Sequence, residues 1–273
     1  MNKIIPGLID INFLALTNQA HGVKYHAGLI CHLVWRDISL RYKGSILGVF
    51  WSLMPPLSQL LVFSFIFGKV VPLNIEAFPA FVFSALLPWI WLSTSLSSSG
   101  WLFLHNRSLV RSPDFSPSLL ILVNALSNLL HYLMFLPILL GMLTFYRRPF
   151  TSALIILPLL VLIQVVFITG LSLVIATLNV FYRDVQHITE TALMFLFYLT
   201  PVFYQIEGIG KSYHNLFAVN PFVALIQSYR DIFFYGTVPH FGALLFASLT
   251  SVVLFGIGYA VYRRRLHDVI DAV

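Results

Sequence analysis

The sequence predicts an all-α polytopic membrane protein: six transmembrane helices, an N-terminal amphipathic interface helix, and outer re-entrant half-helices between spans five and six. Three observations carry that prediction. Only 10% of the 273 residues are charged and 59% are hydrophobic, with a mean hydropathy of +0.88. A soluble domain carries roughly 25% charged residues to cover its water-facing surface, so the solvent for most of this chain is lipid. Runs free of Asp, Glu, Lys and Arg recur at the length a spanning helix needs, about 20 residues. The remaining charges collect at the ends of those runs.

Composition also narrows function. The net charge of +6 comes from Lys and Arg dispersed near segment ends. That distribution points to anionic leaflets and a positive-inside bias, and away from nucleic acid. Cys31 is alone, so the sequence allows neither an intrachain disulfide nor a thiolate metal cluster. A small apolar residue in a buried face is its simpler expected role. Lys3 is followed by Pro6, Asp10 and Asn12, a poor apolar core for a cleavable signal. Insertion is therefore expected to use the internal spans.

Charge-free stretches locate five spans, at 44–68, 77–106, 115–146, 149–182 and 232–262. A sixth is expected at 185–206, with Asp184 as its N-cap. Residues 212–229 are also charge-free, but Asn220–Pro221 breaks a helix there and leaves two halves too short to cross. Trimmed by length, the spans run 46–68, 78–99, 118–146, 151–181, 185–206 and 238–262, within a transmembrane domain of 44–262. Residues 1–43 are expected to be a cytoplasmic N-terminus with the interface helix, and 263–273 a cytoplasmic tail. Residues 207–235 form the outer re-entrant region, sheltered by protein. With both termini inside, 11 of the 16 Lys and Arg fall on inner segments. Lys69, Arg147, Arg148, Lys211 and Arg230 fall outside, and Arg147–Arg148 is the dissenting pair. Seven spans would place Arg263–Arg265 opposite the basic N-terminus, against the positive-inside bias.

The stretch WRDISLRYKGSILGVFWSLMPPL (35–57) sets four charges, Arg36, Asp37, Arg41 and Lys43, before 25 charge-free positions. On a helical wheel Leu29, Leu33 and Leu40 cluster with Ile30, Val34 and Ile38. His32, Arg36, Ser39 and Lys43 take the opposite arc, as in a helix lying along a membrane surface. Asp37 and Arg41 interrupt the apolar arc four residues apart, acid first, spaced to pair. Two roles fit that segment: a headgroup anchor, or contact with a cytoplasmic protein partner.

These residues also resemble a known family. RDISLRYKGSILGVFWSLMPPL (36–57), LNVFYRDVQHI (178–188), LTPVFY (199–204) and NPFVALIQSYRDIFFYG (220–236) are similar in order and spacing to the membrane subunits of type-2 ABC exporters. The resemblance is to those for polysaccharides and polyol phosphates, such as O-antigen, capsule or teichoic acid, and covers about residues 24–262. It implies a permease subunit that moves a lipid-linked polysaccharide across the bacterial cytoplasmic (inner) membrane. It further implies a homodimer with two separate ATP-binding cassette subunits docked on the cytoplasmic face. No cofactor is expected in this chain; ATP and Mg belong to the partner ATPase.

The motifs fit that division of labour. GIGKS (208–212) imitates the end of a phosphate-binding loop, but the motif's first glycine would fall at Gln205 and no strand precedes it. His131, within span three, is a packing residue or a proton relay, packing being the simpler. Arg183 and Asp184 in FYRDV either end a helix against headgroups or form a second ATPase contact. LHNRSLVRSPDFSPS (104–118) is a linker or holds one short coupling helix near Asn106–Arg111, and the resemblance favours coupling. The candidate coupling residues are Arg36, Asp37, Arg41, Asn106, Arg107, Arg111, Arg183 and Asp184.

Flat rings stack on the C–H faces of sugars while their polar tips bond hydroxyls. The candidate substrate path is therefore Trp51, Phe63, Tyr198, Phe203 and Tyr204. A type-2 permease for a lipid or small drug is the nearest rival. A multispan acyl- or glycosyltransferase needs a clustered set of acids, bases or metal ligands. Here Asp37, Asp114, Asp184, Glu190, Glu207 and Asp231 stand isolated in sequence. Coupling-like loops argue against a passive channel.

Overall fold

A computed structural model describes residues 22–43, 50–206, 210 and 217–273, and the regular elements among them are all helical. They form α1 (Gly22–Tyr42), α2 (Phe50–Phe65, prolonged by a π turn at Ile66–Val70), α3 (Phe78–Ser99), α4 (Leu102–His105) and α5 (Arg107–Val110). After these come α6 (Ser118–Phe145), α7 (Leu157–Phe181, preceded by a 3₁₀ turn at Ser152–Ile156) and α8 (Asp184–Tyr198). The last two are α9 (Pro221–Arg230, prolonged by a π turn at Asp231–Tyr235) and α10 (Phe241–Ala272). Residues 1–21, the start of the expected first span at 46–49, most of GIGKS and the first half of the outer region lie outside the described residues.

Among the described residues, five stretches are long and apolar enough to cross a membrane: Leu53–Val70, Phe78–Ser99, Ser118–Phe145, Ser152–Phe181 and Phe241–Ala272. The expected span at 185–206 differs. Its helix α8 stops at Tyr198, because Pro201 lacks an amide donor and disfavours helical geometry at Thr200. Asp184 does not cap that helix: it is the first helical residue, and Arg183 occupies the cap position. Its carboxylate faces the positive end of the helix dipole instead. The short helix expected near Asn106–Arg111 is the single turn α5, preceded by a second single turn, α4, with Asn106 between them. The positions expected as a tail from 263 continue α10 without a break.

The hub is α3. Its side chains from Phe78 to Leu92 are buried almost without interruption, and α2, α6, α7, α8 and α9 all pack on it. A helix apolar all round must be buried on all sides, which is where this one sits. Pro88 removes an amide donor within it; Gln164 of α7, fully buried, donates Nε2–H to the Pro88 carbonyl at 2.9 Å.

The α7–α10 crossing is close enough that only glycine fits. A Cβ on Gly258 would overlap the Gly170 carbonyl, and one on Gly170 would lie 2.5 Å from the Phe255 amide nitrogen. Such small-residue contacts bring two backbones together where lipid offers no hydrophobic drive.

The bundle has two distinct ends. At one, Phe103 of α4, Val110 of α5, Leu120 of α6, Leu173 of α7 and Val269 of α10 share an apolar cluster. There α1 buries Leu33, Val34 and Ile38 against Val123; Leu40, expected in that arc, is instead 60% exposed. At the other end Arg148 joins three connections. It pairs with Glu76 (3.6 Å), donates to the Glu76 carbonyl (3.3 Å) and stacks over Phe234 (4.2 Å to the ring centre). Asn220 caps α9 by accepting the Phe222 amide at 3.0 Å, with Pro221 in the first turn, so Asn-Pro starts this short helix.

Gly258→Ala should destabilise the bundle by about 1–3 kcal/mol through overpacking, seen as a lower melting midpoint in detergent. Gly256→Ala, where a Cβ meets nothing within 4 Å, should match wild type. Equal midpoints for the two variants would contradict the close crossing.

Candidate functional site

The charged pair of α1 does not stand free. Arg41 Nη2 pairs with Asp37 Oδ2 at 3.1 Å, while its Nη1 donates to Asn128 Oδ1 on α6, also at 3.1 Å. Asn128 Nδ2 donates to the Asn124 carbonyl at 3.0 Å. Asn124 lies one turn away on the same face; its Nδ2 donates to the Ser95 carbonyl and its Oδ1 accepts from Ser98 Oγ, both at 2.8 Å. A ladder of amides thus links α1 through α6 to α3. Both asparagines are buried, where an unpaired amide would be costly.

Beside the ladder lies a cavity of about 290 Å³. It brings together four of the eight candidate coupling residues: Arg36, Asp37, Arg41 and Asn106. Ser98, Trp101, His105 and Asn124 complete its polar lining. The other four, Arg107, Arg111, Arg183 and Asp184, are exposed on the α5 and α7–α8 connections. Asn179, fully buried, ties those regions together: its Nδ2 donates to the Gly100 carbonyl (2.8 Å) and its Oδ1 accepts the Gln186 amide (3.0 Å). Gln186 then donates to the Ser97 carbonyl (2.9 Å) and to Glu190 Oε1.

A larger open cleft of about 740 Å³ lies between α2, α3 and α8. One wall is polar, with Ser93, Thr94, Ser97 and Ser98 of α3 facing Gln186 and Glu190 of α8. The other is aromatic, with Phe63, Trp89, Phe197 and Tyr198. Ser98 and Trp101 line this cleft and the smaller cavity alike, so the two share a wall.

Four of the five candidate path residues meet in one ring cluster. Phe203 lies 5.4 Å from Phe63, 6.3 Å from Tyr198 and 5.1 Å from Tyr204 between ring centres. Trp51 is not among them: it is 61% exposed on the first turn of α2, about three turns from Phe63. Arg230, at the end of α9, fixes the segment that carries Phe203. Although 1% exposed, it donates Nη2–H to the Pro201 and Val202 carbonyls (2.5 and 2.7 Å) and stacks over Phe81 of α3 at 3.9 Å.

Sequence reasoning missed the hydroxyl wall, Gln186 and Arg230. The run LSTSLSSSG (92–100) at the end of an otherwise apolar helix was the signal for the wall. Arg230 and Asp231 sat in an otherwise uncharged half-helix too short to span, a position where a cation needs protein partners.

Arg41→Ala should lower the melting midpoint by a few degrees, since it removes the partner of a half-buried carboxylate. The Asp37→Arg, Arg41→Asp double variant should recover most of that loss, because the Asn128 amide can turn to donate. Equal losses in the single and double variants would contradict the internal pairing.

Residues 28–234 match the ABC-2 type transporter family. The chain is 33% identical over 250 residues to the "O-antigen export system permease protein RfbA" of Myxococcus xanthus, covering 91% of this chain and 96% of that protein. It is 29% identical over 247 residues to the protein of the same name from Klebsiella pneumoniae, covering 89% and 95%. It is 23% identical over 237 residues to the "Polysialic acid transport protein KpsM" of Escherichia coli, covering 85% and 92%. With most of its length matched by the family and a relative aligned nearly end to end, this chain is a member of the ABC-2 type transporter family.

Proposed function

We propose that this chain is the permease subunit of an ATP-driven exporter that carries a lipid-linked polysaccharide across the bacterial inner membrane. In this reading it works as a homodimer with two separate ATP-binding cassette subunits, which bind ATP and Mg. Both termini face the cytoplasm, and α8 with the irregular stretch after it makes a sixth crossing. The observation that carries the reading is the two-sided cleft between α2, α3 and α8. The relatives' names, which specify O-antigen export and polysialic acid transport, support a polymer of sugars as its cargo.

The chemistry of the cleft suits such a cargo. Sugars present C–H faces that stack on rings and hydroxyl edges that need hydrogen-bond partners. Phe63, Trp89, Phe197 and Tyr198 supply the faces, with Phe203 stacked on Phe63; the serines of α3, with Gln186 and Glu190, supply the partners. Stacking is tolerant of which sugar follows which, so a chain can advance without a single deep well. The cleft is open on one side, and the exposed apolar face of α2 (Leu61, Val62, Phe65) flanks it. A second copy closes it there.

Coupling divides between two groups. The exposed Arg107, Arg111, Arg183 and Asp184 contact the ATPase subunits. The interface-helix pair Asp37–Arg41 passes movement inward, since displacing α1 pulls on Asn128, Asn124 and then Ser98 of the cleft wall. The hydroxyl wall has no counterpart in a path built for an apolar lipid or drug, and favours sugar.

Phe63→Ala combined with Phe203→Ala should reduce polymer at the cell surface about tenfold, with normal subunit levels and polymer retained inside. Unchanged surface polymer in that variant would sink the aromatic path.

A further inference from the structure

We propose that the 290 Å³ cavity between α1, α3, α4 and α6 is a phosphate site. It would hold the phosphate ester that joins the lipid to the sugar chain, while the first sugars enter the adjoining cleft. The inference rests on the export reading above and adds the part of the cargo that is read first.

The charges in the cavity do not cancel. Asp37 is committed to Arg41 at 3.1 Å, and Arg41 also serves Asn128. Arg36 lines the same cavity, and its Nε is buried with no hydrogen bond among the described residues. A buried guanidinium donor without an acceptor is costly, and a phosphate oxygen is the acceptor whose geometry matches the guanidinium fork. Asn106, His105 and Trp101 add further hydrogen-bonding groups around it, while Asn124 and Ser98 are held in the ladder behind them. The net cation is therefore Arg36, and the surrounding groups suit an anion with several oxygens.

Position carries the argument further. The cavity lies under the amphipathic helix α1, at the end of the bundle where α4, α5 and α10 gather, the depth at which a lipid headgroup sits. Ser98 and Trp101 separate it from the sugar cleft by one wall. A phosphate in the cavity thus leaves its lipid tail toward the bilayer beside α1 and its glycan toward the rings of Phe63 and Tyr198. A diphosphate also fits the volume.

The test is binding of farnesyl diphosphate to the full complex, permease with its ATPase subunits, in phosphatidylcholine nanodiscs without nucleotide. Wild type should bind it, and farnesol should not compete. Arg36→Gln should weaken binding about tenfold, while Arg36→Lys should stay within about threefold of wild type. Equal binding by Arg36→Gln and wild type, or competition by farnesol at the same concentration as the diphosphate, would overturn the site. So would displacement by phosphatidylglycerol at equal mole fraction, which assigns the cavity to bulk headgroups. Arg36→Gln complexes must elute as wild type; should they not, Asn106→Leu, which also removes a lining donor, gives the same reading. Loss of diphosphate binding with polysaccharide export intact would overturn the phosphate site alone and leave the export reading standing.

Discussion

Two buried asparagines, Asn124 and Asn128, hold α1, α6 and α3 together at one end of the bundle. Lipid offers no hydrogen bonds, so each polar group inside the bundle must find its partner in protein. Asn128 meets that demand by taking Arg41 from α1, and Asn124 by exchanging bonds with Ser95 and Ser98 of α3. The consequence is mechanical as well as energetic. The helix α1 is bonded, through one turn of α6, to the wall of the cleft between α2, α3 and α8. Pulling any member out leaves a buried amide or guanidinium unpaired, which keeps the three helices moving as a unit.

The same constraint explains how the rest is arranged around α3. Its first two-thirds are apolar on every side and enclosed by five other helices; its last third changes to serine and threonine and faces the cleft. Serine hydroxyls in a helix can bond their own upstream carbonyls, as Ser93 and Ser98 of the wall do at 3.3 and 2.8 Å, so a polar wall survives among apolar helices. They can also exchange those bonds for a passing ligand. Opposite this wall, Arg230 plays the fixing role at the other end of the cleft. Its guanidinium holds the Pro201 and Val202 carbonyls, which lie past the end of α8, and so sets where Phe203 stands.

Much of the fold was legible because span length and charge-free runs are direct readouts of bilayer thickness. Five long helices fall over the charge-free stretches, and α1 contains the amphipathic pattern, ending beside it at Tyr42 but beginning at Gly22, seven residues before Leu29. The exceptions have local causes. Asp184 reads as a cap, yet the chain turns one residue earlier, at Tyr182–Arg183, where Asn179 receives the Gln186 amide from across the turn. That bond spans seven residues and has no periodicity to betray it. The ring cluster at Phe63, Tyr198, Phe203 and Tyr204 could be guessed from residue type, but Trp51 could not be set apart from it, since burial depends on which helices pack beside α2. The wheel already set Arg36 on the polar arc and Arg41, four residues after Asp37, within the apolar one. The second bond of Arg41, to Asn128 87 residues further along the chain, and the meeting of Arg36 and Arg41 at one cavity depend on which helix packs against α1 and had no local signal.

The claim on which everything else turns is that sugars pass between the serine wall of α3 and the rings of α2 and α8. Photo-crosslinking tests it most directly. A benzophenone side chain is placed at Tyr198 or Met194 in the cleft, or at Leu249 on the exposed face of α10, and the exporter is stalled in cells with its polymer half-threaded. Capture of polysaccharide at 198 and 194, with none at 249, is the result a path through the cleft requires. Capture at 249 with none at 198 and 194 would place the polymer elsewhere and contradict it.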